Sequence, residues 1–147
     1  MPNLITIIRY PYEEPYLLNL LIKATNGIFT GELEIYDSTD SLKNCANCLM
    51  NFPKCATDEF IWELGSEDKI NRFVFFFKFR VYITDSTGTC AINVRFNNNQ
   101  KPPDLAISEF SIKTDAAGIN NLGKLFLTFS ELKKETLIWD GRDGDLY

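Results

Sequence analysis

Cys45, Cys48, Cys55 and Cys90 are the residues in this 147-residue chain most suited to chemistry. Cys45 and Cys48 form a Cys-x-x-Cys pair, a spacing that allows two thiolates to share a metal or to cycle through a disulfide. With Cys55 and Cys90 they would supply four ligands for zinc. A compact zinc site also expects a second pair about two to four residues apart, and the sequence has none. Histidine is absent, which removes Ser-His-acid and Cys-His catalysis, histidine metal ligation and the usual proton shuttle. Carboxylates remain, since a pair could act on a glycoside or hold a metal. Asp37 and Asp40 precede an amphipathic segment and read as helix caps. Asp140, Asp143 and Asp145 miss the spacing of a calcium loop and lack its closing glutamate, so they read as a loose acidic tail. Neither Gly27/Gly31 nor Gly118/Gly123 fits a phosphate-binding or dinucleotide-binding loop. The expectation is a protein with no catalytic residues, metal or cofactor.

The elements that would position these residues are written twice. Shifting Ile28–Leu64 forward by 77 positions lays it on Leu105–Gly141 without a gap. Glu32 then meets Glu109, Ile35 meets Ile112, Asn44 meets Asn121, Phe52 meets Phe129, and Ile61-Trp62 meets Ile138-Trp139. Each unit reads strand, helix, strand. Cys45, Cys48 and Cys55 fall on Leu122, Leu125 and Leu132, so the cysteines read as buried free thiols filling apolar positions.

In chain order, Leu4–Arg9 and Leu17–Ala24 read as strands. Asn26-Gly27 is the strongest hairpin signal, and a return strand spans Ile28–Tyr36, where Gly31 leaves room for close packing. Leu42, Cys45, Ala46, Leu49 and Phe52 recur at helical spacing until Pro53. Phe60, Trp62 and Leu64 alternate as a short strand. Arg72–Thr84 reads as the longest and most central strand, followed by a turn at Asp85–Gly88 and a strand through Cys90, Ile92, Val94 and Phe96. Leu105–Lys113 is the next strand, and Thr114 or Asp115 caps a helix through Ile119, Leu122, Phe126 and Phe129. Its glycines, Gly118 and Gly123, each weaken a helix by about 1 kcal/mol against alanine and suggest close approach to the sheet. Leu137–Trp139 is the last strand. The pattern predicts an α+β fold: an antiparallel-rich sheet, two helices packed on one face, and a pseudo-two-fold strand-helix-strand repeat. One domain over 1–147 is expected, with repeat units at approximately 28–64 and 105–141.

Apolar residues make up 45% of the chain, enough for a packed core. A net charge of -5 without a basic cluster argues against nucleic acid. The apolar start of the chain is too short for a secretory leader, and no apolar run is long enough to span a membrane, so a cytoplasmic location is expected. Val74, Phe76, Lys78, Arg80 and Tyr82 share the second face of the long strand. If both helices cover the first face, this one forms an exposed apolar patch rimmed by charge, suited to a protein partner or to a homodimer. Trp62 and Trp139, at equivalent strand ends, are further candidates for a partner-binding patch, although amphipathic strands also bury such residues.

The order of elements resembles immunity proteins of wall-associated polymorphic toxins. The features that carry this resemblance are Gly27-Ile28-Phe29-Thr30-Gly31-Glu32, Leu42–Pro53, Leu64-Gly65, Asp85–Gly88 and Phe110–Leu132. The resemblance implies a non-enzymatic cytoplasmic protein that binds and blocks a cognate toxin. A structural or regulatory homodimer and a carboxylate-site enzyme stand as the alternatives.

Overall fold

The computed structural model describes residues 4–70 and 73–147. Period-two alternation yields β1 (Leu4–Tyr10), β2 (Leu18–Thr25) and β3 (Thr30–Asp37), an antiparallel meander. Helix α1 (Thr39–Met50) carries the chain to β4 (Glu59–Gly65). A second meander follows, β5 (Phe76–Ile83), β6 (Thr89–Asn97) and β7 (Ile107–Asp115), then helix α2 (Ala116–Phe129), β8 (Thr136–Trp139) and β9 (Gly144–Leu146). The 77-residue offset survives in three dimensions. Ser38 caps α1 by accepting the Ser41 amide at 3.1 Å, and Asp115 caps α2 by accepting the Gly118 amide at 2.8 Å. Trp62 and Trp139 occupy matching positions in β4 and β8.

The expected antiparallel strands divide between two sheets, in the orders β3-β2-β1-β8-β9 and β4-β5-β6-β7. Each unit sends its last strand to the meander that contains the other unit's first strand. β4 pairs with β5, the first strand of the second meander, and β8 pairs with β1, the first strand of the first. This reciprocal exchange is the pseudo-two-fold. The sheets touch along β3 against β6 and β7, where a methyl on Gly31 would come within 2.7 Å of the Phe96 ring and 3.0 Å of Ser108. Away from that seam the two helices pack into the core that both sheets share. The first sheet presents Ile5, Ile7, Leu20, Ile22, Ile35, Leu137 and Trp139 to it; the second presents Trp62, Phe77, Phe79, Val81, Ile92, Val94, Phe96 and Ile112.

The helices pack on each other at Gly123, where a methyl would lie 2.7 Å from the Met50 amide nitrogen and 2.9 Å from the Ala46 carbonyl. Gly123 therefore admits the first helix, not the sheet. Gly118 likewise faces Thr114 and the Gly141 carbonyl. Asn120 completes the helix contact. Its Nδ2 donates to the carbonyls of Leu49 (2.9 Å), Met50 (3.1 Å) and Phe52 (2.8 Å), helping to satisfy the acceptors at the end of α1 and just beyond it.

Four local expectations change. The strand expected over Arg72–Thr84 begins at Phe76, and β6 and β7, with nine residues each, are longer than β5; its expected first residue lies outside the described residues. Ile28 and Phe29 belong to the hairpin turn, where Asn26 Oδ1 accepts both of their amides. Asp37 is not a cap. It lies inside β3 and accepts the Ser38 amide, the Ser41 hydroxyl and the Trp62 indole N–H. The acidic tail is ordered, because Asp140 accepts the amides of Arg142 and Asp143 to close a turn that lays β9 along β8.

Candidate functional site

The outer face of the second sheet is built in cross-strand rows. One row runs Glu59, Tyr82, Ala91, Lys113; the next Ile61, Arg80, Asn93, Ser111; the third Glu63, Lys78, Arg95, Glu109; the last Gly65, Phe76, Asn97, Ile107. Opposite charges in neighbouring strands meet. Arg80 Nη2 lies 2.6 Å from Glu59 Oε2, and its guanidinium sits 4.1 Å above the Tyr82 ring. Arg95 grips Glu67 through Nε and Nη2 and holds Glu109 at 2.9 Å through Nη1. The expected apolar patch is therefore absent from the middle of this face. Phe76 is buried, Tyr82 is half-buried with Arg80 above its ring, and ion pairs fill the space between.

The apolar exposure lies at the loop end instead. There the last row opens into a cleft of about 840 Å³, lined by Phe73, Leu105, Ile107, Glu67, Asn97 and Asn99 among others. Ile70 is 87% exposed and Val74 76% exposed, and Phe73, Leu105 and Ile107 are also open to solvent. Asn99 ties the two loops together. Its Nδ2 donates to the carbonyls of Ser66 (2.8 Å) and Phe73 (3.1 Å), and its φ of 51° lies in the left-handed region that asparagine tolerates. Val74 and Phe76 thus stand near this end, while Lys78, Arg80 and Tyr82 run away from it along the sheet. The expected strands Arg72–Thr84 and Leu105–Lys113 take in Phe73, Leu105 and Ile107 as strand positions and do not mark them as exposed. The one available signal was the polar, proline-bearing tract 97–103, which marks a long connection but not what surrounds it.

Trp62 and Trp139 are corrected as contact residues. Both are buried, and their indole N–H groups donate inside the core, to Asp37 Oδ2 and to the Gly118 carbonyl, each at 3.0 Å. A residue so enclosed cannot line a surface patch.

The cysteines split by environment. Cys45 and Cys90 are buried, Cys48 is half-buried and Cys55 is exposed, which corrects the expectation that all fill apolar interior positions. Among the described residues no group of three or more cysteine or carboxylate side chains converges as a metal site. Burial, reinforced by Asp37 and Cys48, pushes the Cys45 thiol well above the ordinary range, and burial also raises Cys90. In the native protein at neutral pH a disulfide dye should label Cys55 fast and Cys48 slowly, with Cys45 and Cys90 reacting only after denaturation. Fast labelling of Cys45 would contradict this packing.

Glu67, at the cleft mouth, is held below the usual carboxylate range by its hydrogen bonds to Arg95, with a further one from Asn97. A depressed carboxyl contributes stability above its unfolded pKa and loses it as pH falls through the folded value. The Glu67–Arg95 contact should therefore be intact at neutral pH and dissolve in acid, below the ordinary range. Side-chain NMR titration should show a low midpoint for Glu67 that rises on Arg95→Gln; an unchanged midpoint would remove the guanidinium as the cause.

No helix among the described residues is long and apolar enough to cross a membrane. Comparison of the chain with protein-family models, with curated proteins and with solved structures finds no match.

Proposed function

We propose that this chain is a non-enzymatic protein-binding module, and specifically an immunity protein that occludes a cognate toxin in the cytoplasm. The observation that carries the binding reading is the loop-end cleft, where Phe73, Leu105 and Ile107 expose apolar surface beside a charged sheet face, with Ile70 and Val74 exposed on the connection that carries Phe73. Isolated exposed apolar residues are ordinary, but a cluster beside a concavity and rimmed by charge is how protein contact sites are built. Glu67, the carboxylate at the cleft mouth, is committed to Arg95 and Asn97. That suits a fixed rim better than a proton-transferring acid. The toxin assignment rests on the resemblance described above, and the net charge of -5 suits a basic toxin by electrostatic steering.

The test compares the wild-type chain with the double variant Val74→Asp, Ile107→Asp as bait in lysate from its own source. The wild type should recover one partner at equal stoichiometry, the variant should lose it while keeping its thermal midpoint, and expression of that partner alone should arrest growth. Equal recovery by both baits would move the site elsewhere. A harmless partner would remove the toxin reading, and a wild-type chain that sediments as a dimer while the variant is monomeric would assign the cleft to self-association.

A further inference from the structure

The pseudo-two-fold makes β4 and β8 equivalent strands, yet their outer edges differ. β8 is covered by β9, which pairs with it antiparallel through Leu137–Leu146, Ile138–Asp145 and Trp139–Gly144. β4 ends its sheet, and among the described residues no backbone hydrogen bond links it to any strand but β5. The chain leaving β4 does not fold back along this edge. Glu67 and Ser66 turn instead toward β6, held by Arg95 and Asn99. The exposed flank shows in burial. Ile61 is 43% exposed and Phe60 is half-buried, whereas their equivalents Ile138 and Leu137 are half-buried and fully buried.

A second feature points the same way. Asn121 on α2 holds the segment leading into β9, donating from Nδ2 to the Arg142 carbonyl (3.0 Å) and to Asp143 Oδ1 (3.1 Å). The residue 77 positions earlier is also asparagine. Asn44 occupies the same turn of α1, is exposed, and its side chain makes no hydrogen bond among the described residues. Leu125, which packs beside Gly144, is replaced at the equivalent position by the smaller Cys48, so the flank of β4 has more room.

We infer that the open edge of β4, with Asn44, accepts an extended antiparallel segment of a partner protein, in the manner that β9 covers β8. Main-chain ladder bonds supply the affinity of such strand addition, and alternate side chains supply its selectivity. The internal template sets the register. Thr136 and Tyr147 exchange both backbone bonds, at 3.0 and 2.8 Å, and antiparallel pairing alternates, so Ile138 and Asp145 form the next exchanging pair. The equivalent outward amides of β4 are those of Glu59, Ile61 and Glu63. Glu59 already donates its amide to Asp58 Oδ1 at 2.9 Å, which leaves Ile61 and Glu63.

The incoming strand places a small residue opposite Trp62, as Gly144 lies opposite Trp139, and an aliphatic one opposite Phe60, as Leu146 lies opposite Leu137. Opposite Glu63, which is exposed and in no ion pair among the described residues, it carries a basic residue. That charge argues against a second copy of β4. A two-fold antiparallel pairing centred on Ile61 would set Glu59 against Glu63, and like charges directly opposite are destabilising.

The inference shares the protein-binding reading but uses a different surface, so it can fail alone. The probe is the peptide acetyl-Ser-Arg-Gly-Thr-Leu-Lys-Thr-amide, with a control carrying proline in place of the first threonine, whose amide would bond to Ile61. Hydrogen exchange on the full chain should show the Ile61 and Glu63 amides slowed by the peptide and unaffected by the proline control. Asn44→Ala should weaken peptide binding about five-fold, the equivalent of one hydrogen bond, without moving the thermal midpoint. The Val74→Asp, Ile107→Asp variant should bind the peptide as the wild type does. Unchanged exchange at Ile61 and Glu63 at peptide saturation would overturn the inference. So would protection of those amides in the free chain that grows with its concentration, since a second copy would then hold the edge.

Discussion

Replacing Trp139 with alanine is expected to cost about 3–5 kcal/mol of unfolding free energy. Domains of this kind have roughly 5–15 kcal/mol in total. Trp139 is fully buried, and its indole N–H donates to the Gly118 carbonyl at 3.0 Å. Truncation therefore leaves a cavity and removes a buried hydrogen bond. The position also matters topologically, because Trp139 lies opposite Ile5 on the strand that the second unit lends to the first sheet. Loss of packing here should loosen the join between the units, not one unit alone. Urea unfolding followed by circular dichroism checks the magnitude. Trp139→Phe, which keeps most of the ring volume, should recover much of the loss, and a cost below about 1 kcal/mol for alanine would contradict the packing.

Gly123→Ala is expected to destabilise by about 2 kcal/mol, against the sign that helix propensity predicts. In an isolated helix the change gains about 1 kcal/mol. Here the new methyl meets the Met50 amide nitrogen at 2.7 Å and the Ala46 carbonyl at 2.9 Å. Those atoms belong to the backbone of α1 and cannot swing aside as a side chain would. The helices must separate, which costs overpacking strain of about 1–3 kcal/mol and pulls Asn120 from its three carbonyls. Lys124→Ala, one residue on and exposed, should be close to neutral. A lower thermal midpoint for Gly123→Ala alone locates the effect in the helix contact; a raised midpoint would mean that the helices do not approach so closely.

Both sites illustrate how far residue order carried. Periodicity located nearly every strand and both helices to within a few residues, because the alternation of β6 and the heptad-like spacing of α1 report local backbone geometry. A cap at Thr114 or Asp115 was legible for the same reason, and it is the Asp115 oxygen that reaches an amide three residues on. The 77-residue echo was legible too. It was right about Cys45, which is buried like Leu122, and wrong about Cys55, which is exposed while its equivalent Leu132 is half-buried. A repeat preserves the position of a residue in its element, but the loop after each helix takes its own path.

The candidate contact surface was less legible. Lys78, Arg80 and Tyr82 were placed on the correct outward face, since strand alternation decides the face once the inward row is known. The pairing of Arg80 with Glu59 and of Arg95 with Glu109 depends on strands brought alongside from elsewhere in the chain, and that of Arg95 with Glu67 on a loop residue 28 positions away. The exposed side chains at the loop end arise because Asn99 ties together two connections that share no local pattern.

The sequence by itself determined most of the elements and the fact that the same strand-helix-strand unit occurs twice, since each of these follows from contacts a few residues apart or from direct comparison. Only the tertiary structure decided that each unit gives its last strand to the other's meander, dividing the strands into two sheets around the helix pair. Nothing local distinguishes pairing β4 with its own meander from pairing it with β5, because backbone donors and acceptors are alike in every strand and only the packed core selects between edges. That same choice left β4 at a sheet edge while β8, its equivalent, was covered by β9.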